Sequence, residues 1–150
     1  MIENKIISKW CTYNRSFLWR FNTAPYKILI AELMLQRTKA EQVGPVYKKF
    51  LQQYPDINSL SKAKLKSVEK YTSSLGLHWR ASNFINAAAF IVKYLNGVFP
   101  ETRKELIKIP GVGDYVGGAI SAVCFNKEDY VIDSNIARLI NRYYNLQLTS

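Results

Sequence analysis

Residues 109–120 read IPGVGDYVGGAI, and this stretch decides the fold. Pro110 fixes one backbone dihedral, Gly111 and Gly113 open conformations closed to residues with a side chain, and Val112 sets an apolar plug between them. A short helix-forming run, ETRKELIK at 101–108, precedes the turn, and Val116, Ile120 and Val123 continue after it at the spacing of a buried helical face. The expected result is a tight hairpin joining two helices. Its amides and the positive end of the second helix can meet a phosphate without reading sequence. Gly117, Gly118 and Ala119 remove bulk from successive helical positions, which weakens helix propensity but lets another helix approach closely. No strand precedes the glycines, so a dinucleotide-binding fingerprint is not supported. Alone, P-G-V-G fits a structural corner as well as a phosphate site.

Outward from the hairpin the chain reads as helix after helix. Pro25 stands before KILIAELMLQRT and predicts entry into a buried helix. An amphipathic helix is expected from Glu41 to Tyr54, with Gly44 and Pro45 as an alternative start and Pro55 as its stop. Ser59 is suited to cap a short helix, Gly76 to supply a left-handed turn residue. Residues 80–95 predict a longer helix burying Phe84, Ala88, Ile91 and Leu95, closed by Asn96 and Gly97. Tyr47, Phe84, Phe90 and Tyr94 read mostly as core. Residues 1–20 suggest a short helix and an irregular approach ending in FLWR. Strand alternation, internal repeats and low-complexity tracts are missing, so the expected fold is all-α, one domain over residues 1–150.

Charge narrows the partners. The 150 residues carry 21 basic and 11 acidic side chains, a formal net charge of +10, and the sequence pI is near 9.6. Such an excess favours a polyanion, because each neutralised phosphate releases condensed counterions. It does not separate DNA from RNA. Cys11 and Cys124 fit neither a disulfide framework nor a four-thiolate metal site, and read as small buried hydrophobes in a reducing, intracellular setting: cytoplasm and nucleoid, or nucleus. The first residues, MIENKIISKWC, lack the apolar core of a signal peptide, and no membrane partner is expected.

Two carboxylates interrupt runs that otherwise look buried. Glu32 lies within ILIAELML and Asp133 follows DYVI, immediately before SNIARLI. A buried carboxylate requires a partner, a hydrogen bond or a proton. Asp133 is placed to cap the helix that follows, and the same fixed carboxylate can stabilise positive charge developing on a deoxyribose as its base departs. Glu32 can pair with Arg37 or Lys39, or serve as a proton donor or water-positioning group with a raised pKa. Asn135 can orient a neighbouring carboxylate, and Tyr115 can line the same cleft or pack in the core. His78, the only histidine, stands with Trp79 and Arg80 in a stretch expected to face DNA, and is equally consistent with a routine semi-buried histidine.

FLWR at 17–20, PYKILIAELMLQRT at 25–38, IPGVGDYVGGAI at 109–120 and VIDSNIARLINRYY at 131–144 together resemble the helix-hairpin-helix base-excision DNA glycosylases related to endonuclease III. The resemblance is nearest to the mismatch-specific adenine glycosylases and the thymine glycosylases acting on G:T mismatches. It implies an all-α glycosylase core with part of a second helical lobe, and double-stranded DNA with a mismatched or damaged base as partner. It places the catalytic aspartate on Asp133 and the DNA-binding hairpin on Pro110, Gly111, Val112 and Gly113. Bifunctional members carry a lysine where this chain has Tyr115, which cannot form a Schiff base, so a monofunctional enzyme leaving an abasic site is implied. The adenine branch's catalytic glutamate matches Glu32 and its asparagine matches Asn135. Gln36, Arg37 and Thr38 fall on the wedge that enters the helix when a base is flipped, with Arg37 closer to the G:T branch than to the LQQT of the adenine branch. Leu77 and His78 replace the tyrosines of the adenine branch's GLGYY segment, which weakens recognition of oxidised guanine. With Arg80 they are expected to support the gap left by the flipped base.

These departures favour thymine or uracil opposite guanine as substrate, with adenine opposite guanine or 8-oxoguanine as the alternative. A non-catalytic helix-hairpin-helix module, or a basic interaction protein with structural acids, accounts for the charge but gives Glu32 and Asp133 no shared purpose. Related glycosylases continue beyond the aspartate to four cysteines holding an iron-sulfur cluster. The chain therefore reads as truncated on its C-terminal side, as a short member, or as one completed by a partner chain. A 4Fe-4S cluster is expected only where such a region supplies the cysteines. No cofactor or catalytic metal is expected in this chain itself, although hairpin carbonyls can hold a structural monovalent cation.

Overall fold

A computed structural model describes residues 16–76 and 80–146. Most of the helix expected within residues 1–20, and Cys11, Leu77, His78 and Trp79, lie outside these. All regular structure among the described residues is helical, as expected, and none of these helices is long and apolar enough to cross a membrane.

Helix α1 (Pro25–Leu35) begins with its proline in the first turn, where a missing amide hydrogen costs nothing. From Ile28 to Met34 every residue except Glu32 is buried. A helix apolar on nearly every side needs neighbours on every side, and α1 has them in α2 (Ala40–Gln53) and α7 (Asp114–Phe125). Two long-range bonds fix α1 against the chain that follows: Tyr26 donates to the Tyr54 carbonyl at 2.6 Å and Tyr47 to the Lys27 carbonyl at 3.1 Å.

Helix α2 starts at Ala40, ahead of Gly44 and Pro45, so the later start is not the one adopted. Val43, Tyr47 and Phe50, all buried, lie on one face on both sides of Pro45, and their packing outweighs the lost backbone bond. The short α3 (Ile57–Ser61) is capped by Asp56, which accepts from the Ser59 amide at 2.8 Å, rather than by Ser59. Ser59 takes the reciprocal place in the capping box and accepts from the Asp56 amide at 3.3 Å. Helix α4 (Leu65–Thr72) runs into a 3-10 turn closed by Gly76 in the left-handed conformation, as expected.

Helix α5 (Ala81–Leu95) packs on α3 and α4 and buries Phe84, Ala87, Ala88 and Ile91. Leu95 is only half-buried, and Tyr94, read as core, is 62% exposed because it falls on the opposite face. The core centres on Phe50, whose ring lies 5.4 Å from that of Phe84 and 5.0 Å from that of Tyr54. Asn96 and Gly97, both with positive φ, end α5.

The short α6 (Arg103–Leu106) leads into the hairpin and α7. Gly111 has φ +80, and a Cβ there would sit 3.0 Å from Asn83 Cβ, so both backbone and space require glycine. Gly113 has φ −85, an ordinary value, and serves as the N-cap residue of α7. Val112 is buried as the plug. A Cβ on Gly117 would lie 3.1 Å from Ile107 Cγ2, the close approach expected of the small-residue run. Val123 departs from the expected buried face: it is 50% exposed, beside a cavity. Helix α8 (Ser134–Tyr144) starts at Asp133 and buries only Ala137.

Truncating Phe84 to alanine is expected to lower unfolding free energy by about 3–5 kcal/mol, read from denaturant midpoints at constant m-value. A loss below about 1 kcal/mol would show that the Phe50–Phe84 contact is not the centre of the core.

Candidate active site

A cavity of about 720 Å³ opens between the 3-10 turn Leu18–Phe21, the C-terminal half of α1, α7 and the start of α8. This volume lies within the range of small-ligand sites. Trp19, Phe21, Ile28, Leu35 and Val123 give it apolar walls, and Arg20, Glu32, Gln36, Arg37, Tyr115 and Asp133 give it polar groups. The two carboxylates singled out in the sequence, 101 positions apart, therefore face one space, with Tyr115 beside them.

The two acids are held in opposite states. Glu32 takes neither the Arg37 nor the Lys39 ion pair, and burial among the apolar residues of α1 pushes its pKa up to about 7. Near neutrality it exists in both protonation states. Asp133 is held below the ordinary carboxylate range, first by the Ile136 amide and then, against some desolvation, by Asn135. Its Oδ1 accepts from the Ile136 and Asn135 amides at 2.8 and 2.9 Å, and Asn135 Nδ2 donates to Oδ2 at 3.2 Å. Asp133 is thus an oriented anion, the helix cap and the cavity group at once. Burial raises the Tyr115 hydroxyl pKa, with smaller contributions from Glu32 and Asp133, so it remains a neutral donor.

Trp19 forms a buried wall of the cavity, stacked on Phe17 at 4.9 Å and edge-on to Tyr47 at 5.5 Å. Trp19, Arg20, Phe21 and Val123 were not singled out as site residues from the sequence. The aromatic run before Pro25 was the available signal, whereas Val123 has the same apolar spacing as a core residue.

The turn after α1 forms the cavity rim. Arg37 is exposed, with φ +55, a costly left-handed conformation for a residue with a side chain. Arg80, expected to face DNA, is instead 5% exposed and donates to the Gln36 carbonyl, bracing this turn from inside. Desolvation, then the Arg37 charge, lowers its pKa. Thr38 donates to the Gln36 carbonyl at 3.3 Å. At the hairpin, Val112 donates to the Ile109 carbonyl at 3.0 Å, and no side chain caps the α7 amides. Pro110, Gly111, Val112 and Gly113 do not line the cavity, whereas Tyr115, two residues after Gly113, does. Leu77 and His78 cannot be placed, lying outside the described residues.

Cys124 is half-buried, and burial raises its thiol pKa to about 11. No group of three or more His, Cys, Asp or Glu side chains among the described residues could hold a metal ion.

A helical core with a glycine hairpin and two unlike carboxylates facing one cavity defines the class, a helix-hairpin-helix base-excision scaffold. The chain belongs to the HhH-GPD superfamily of base excision DNA repair proteins, whose family model matches residues 30–149. It is 38% identical over 132 residues to an adenine DNA glycosylase of Buchnera aphidicola subsp. Baizongia pistaciae, covering 88% of this chain and 38% of that protein. It is 34% identical over 140 residues to a thymine/uracil-DNA glycosylase of Methanothermobacter thermautotrophicus, covering 93% and 63%. The chain thus spans 38% and 63% of the length of these two relatives, less than two-thirds of either. Among solved structures, a thermostable thymine-DNA glycosylase superposes with a TM-score of 0.88 at 33% identity, over 95% of this chain and 69% of that one. An endonuclease III bound to DNA shares the fold, with a TM-score of 0.85 at 22% identity.

The raised Glu32 pKa has a defined effect on stability. The unfolded chain releases this proton near 4.5 and the folded chain near 7, so folding takes up a proton between those values. This contribution favours the folded state below about pH 4.5 and is lost as pH rises to about 7. Glu32→Gln is therefore expected to gain stability over the parent progressively across that window, by up to roughly 3 kcal/mol above it. Equal stability differences at pH 5 and pH 8, read by denaturant unfolding, would mean that Glu32 is ordinarily solvated.

Proposed function

We propose that the protein is a monofunctional mismatch DNA glycosylase that removes thymine or uracil opposite guanine by hydrolysis and leaves an abasic site. The observation that carries the glycosylase reading is the convergence of Glu32, Tyr115 and Asp133 on one apolar-walled cavity. In this reading the duplex is held through its backbone by the hairpin amides of Gly111 and Gly113, and the target nucleotide rotates out of the stack into the cavity. The turn Gln36–Thr38 enters the gap, with Arg37 at its tip. Asp133, an anion fixed by two amides and Asn135, stabilises the positive charge that builds on the deoxyribose as the glycosidic bond breaks. Ionised Glu32 orders the attacking water. Tyr115 donates a hydrogen bond and, being no amine, forms no covalent intermediate with the sugar.

Likeness to both the thymine/uracil and the adenine glycosylases leaves the base to be chosen by the site. Arg37 at the wedge and the 33% identity to a thymine-DNA glycosylase across 95% of this chain support the pyrimidine reading. Adenine excision is favoured by a different observation, the raised pKa of Glu32, which suits protonation of a departing purine.

Single-turnover excision on duplexes carrying G:T, G:U, A:G and A opposite 8-oxoguanine, with alkali revealing abasic sites, separates the readings. Release from G:T and G:U is expected, with a rate that rises with pH through about 7 as Glu32 ionises. Adenine release with a rate falling through the same range would transfer the assignment to the purine. Asp133→Asn is expected to lower the single-turnover rate at least about 100-fold while DNA binding persists. Undiminished excision by that variant would refute the mechanism.

A further inference from the structure

Asp133 heads a helix that has little hold on the rest of the molecule. Helix α8 buries one residue, Ala137, and does not pack extensively on any other described helix. What places Asp133 is therefore the segment before it, residues 126–132, between the end of α7 and the start of α8. Asn126, in the left-handed conformation, closes α7, and Lys127 pairs with Glu101 at 2.8 Å in an exposed contact of small weight.

Arg103, on the first turn of α6, is different. Its side chain is only 14% exposed, and its guanidinium gathers three groups. Nη1 pairs with Asp114 Oδ2 at 2.8 Å, at the start of α7. Nη2 pairs with Asp129 Oδ1 at 2.6 Å and also donates to the Tyr130 carbonyl. The Tyr130 ring covers the guanidinium at 3.9 Å. Asp129 Oδ1 in turn accepts from the Tyr130 amide at 2.9 Å. Gly118 makes room: a Cβ there would come within 2.7 Å of the Tyr130 carbonyl oxygen and 3.0 Å of Arg103 Cζ. Only Val131 and Ile132 separate this clamp from Asp133. The three residue steps from Tyr130 to Asp133 span at most about 10 Å, so the clamp limits where the carboxylate can be.

We propose that Arg103 is a positioning residue for excision, tying Tyr130 to the hairpin end of α7 and so holding Asp133 at the cavity opposite Glu32. This rests on the catalytic reading of Asp133. The guanidinium's planar fork is essential to it, because it serves Asp114 on one nitrogen and the 129–130 segment on the other. A lysine keeps the charge and most of the stem but offers a single point of attachment.

The test uses Arg103→Lys in the parent and in the Asp133→Asn background. In the parent, the single-turnover rate constant is expected to fall roughly 10- to 100-fold with DNA affinity unchanged, as for a displaced catalytic group. In the Asp133→Asn background the same substitution is expected to cost nothing further, because the group it positions is already gone. Amide hydrogen exchange is expected to quicken across residues 130–136 and to stay unchanged at 109–113, a readout independent of substrate. Unaltered exchange at 130–136, an undiminished rate, or penalties that multiply in the double variant would each overturn the proposal. Full activity of Asp133→Asn alone would overturn it too, and would be recognised as failure of the underlying catalytic reading.

Discussion

A helix apolar on nearly every side has to be enclosed on every side, and the arrangement around α1 follows from that requirement. Helix α2 covers one flank and α7 another, and the Tyr26 and Tyr47 hydroxyls pin α1 through backbone carbonyls, groups that do not change with side-chain identity. Within this enclosure Glu32 is the single residue between Ile28 and Met34 that escapes full burial. It escapes toward the cavity, where the enclosing helices leave a gap. The cavity is thus the place where the packing of α1 is left incomplete around an acid.

The same gap gives the two acids different surroundings. Glu32 sits among side chains that solvate charge poorly, so its proton is retained until about pH 7. Asp133 sits at a helix start, where backbone amides without partners supply the solvation that water would otherwise provide. Two carboxyl groups with pKa values pushed apart, facing a common space, can divide the work of proton handling and charge stabilisation.

Much of this was legible in the sequence because it rests on local rules. Pro25 before an apolar run, the hairpin glycines, and Asp133 before a helix-forming segment each place a backbone feature by stereochemistry alone. What was not legible depended on packing between distant segments. Gly44 and Pro45 left a later start open beside Glu41, and the Val43, Tyr47 and Phe50 face decides it by carrying the helix through the proline. Arg80 reads as a DNA-facing cation beside His78, yet it is buried and donates to the Gln36 carbonyl, a destination no local pattern encodes. Val123 has the spacing of a core residue and lines the cavity because no described helix covers that turn of α7. Arg103 looks like one of 21 interchangeable basic residues until Gly118, Asp114 and Asp129 are seen around it.

The hairpin and Asp133 lie at the two ends of one mechanical unit. The hairpin opens α7, the segment leaving α7 carries Asp133, and Arg103 crosses between them, bonding the first turn of α7 on one side and the departing segment on the other. A phosphate held at the hairpin would therefore set the position of the carboxylate through a few short links, without relying on the loosely packed α8. This matters for an enzyme of the proposed kind, since backbone contacts fix register on any sequence while chemistry must occur at a single sugar. Sequence-neutral anchoring and placement of the anion then become one structural property. Under the proposed function, choice of base falls to the wall where Trp19, Glu32 and the strained Arg37 turn meet the cavity.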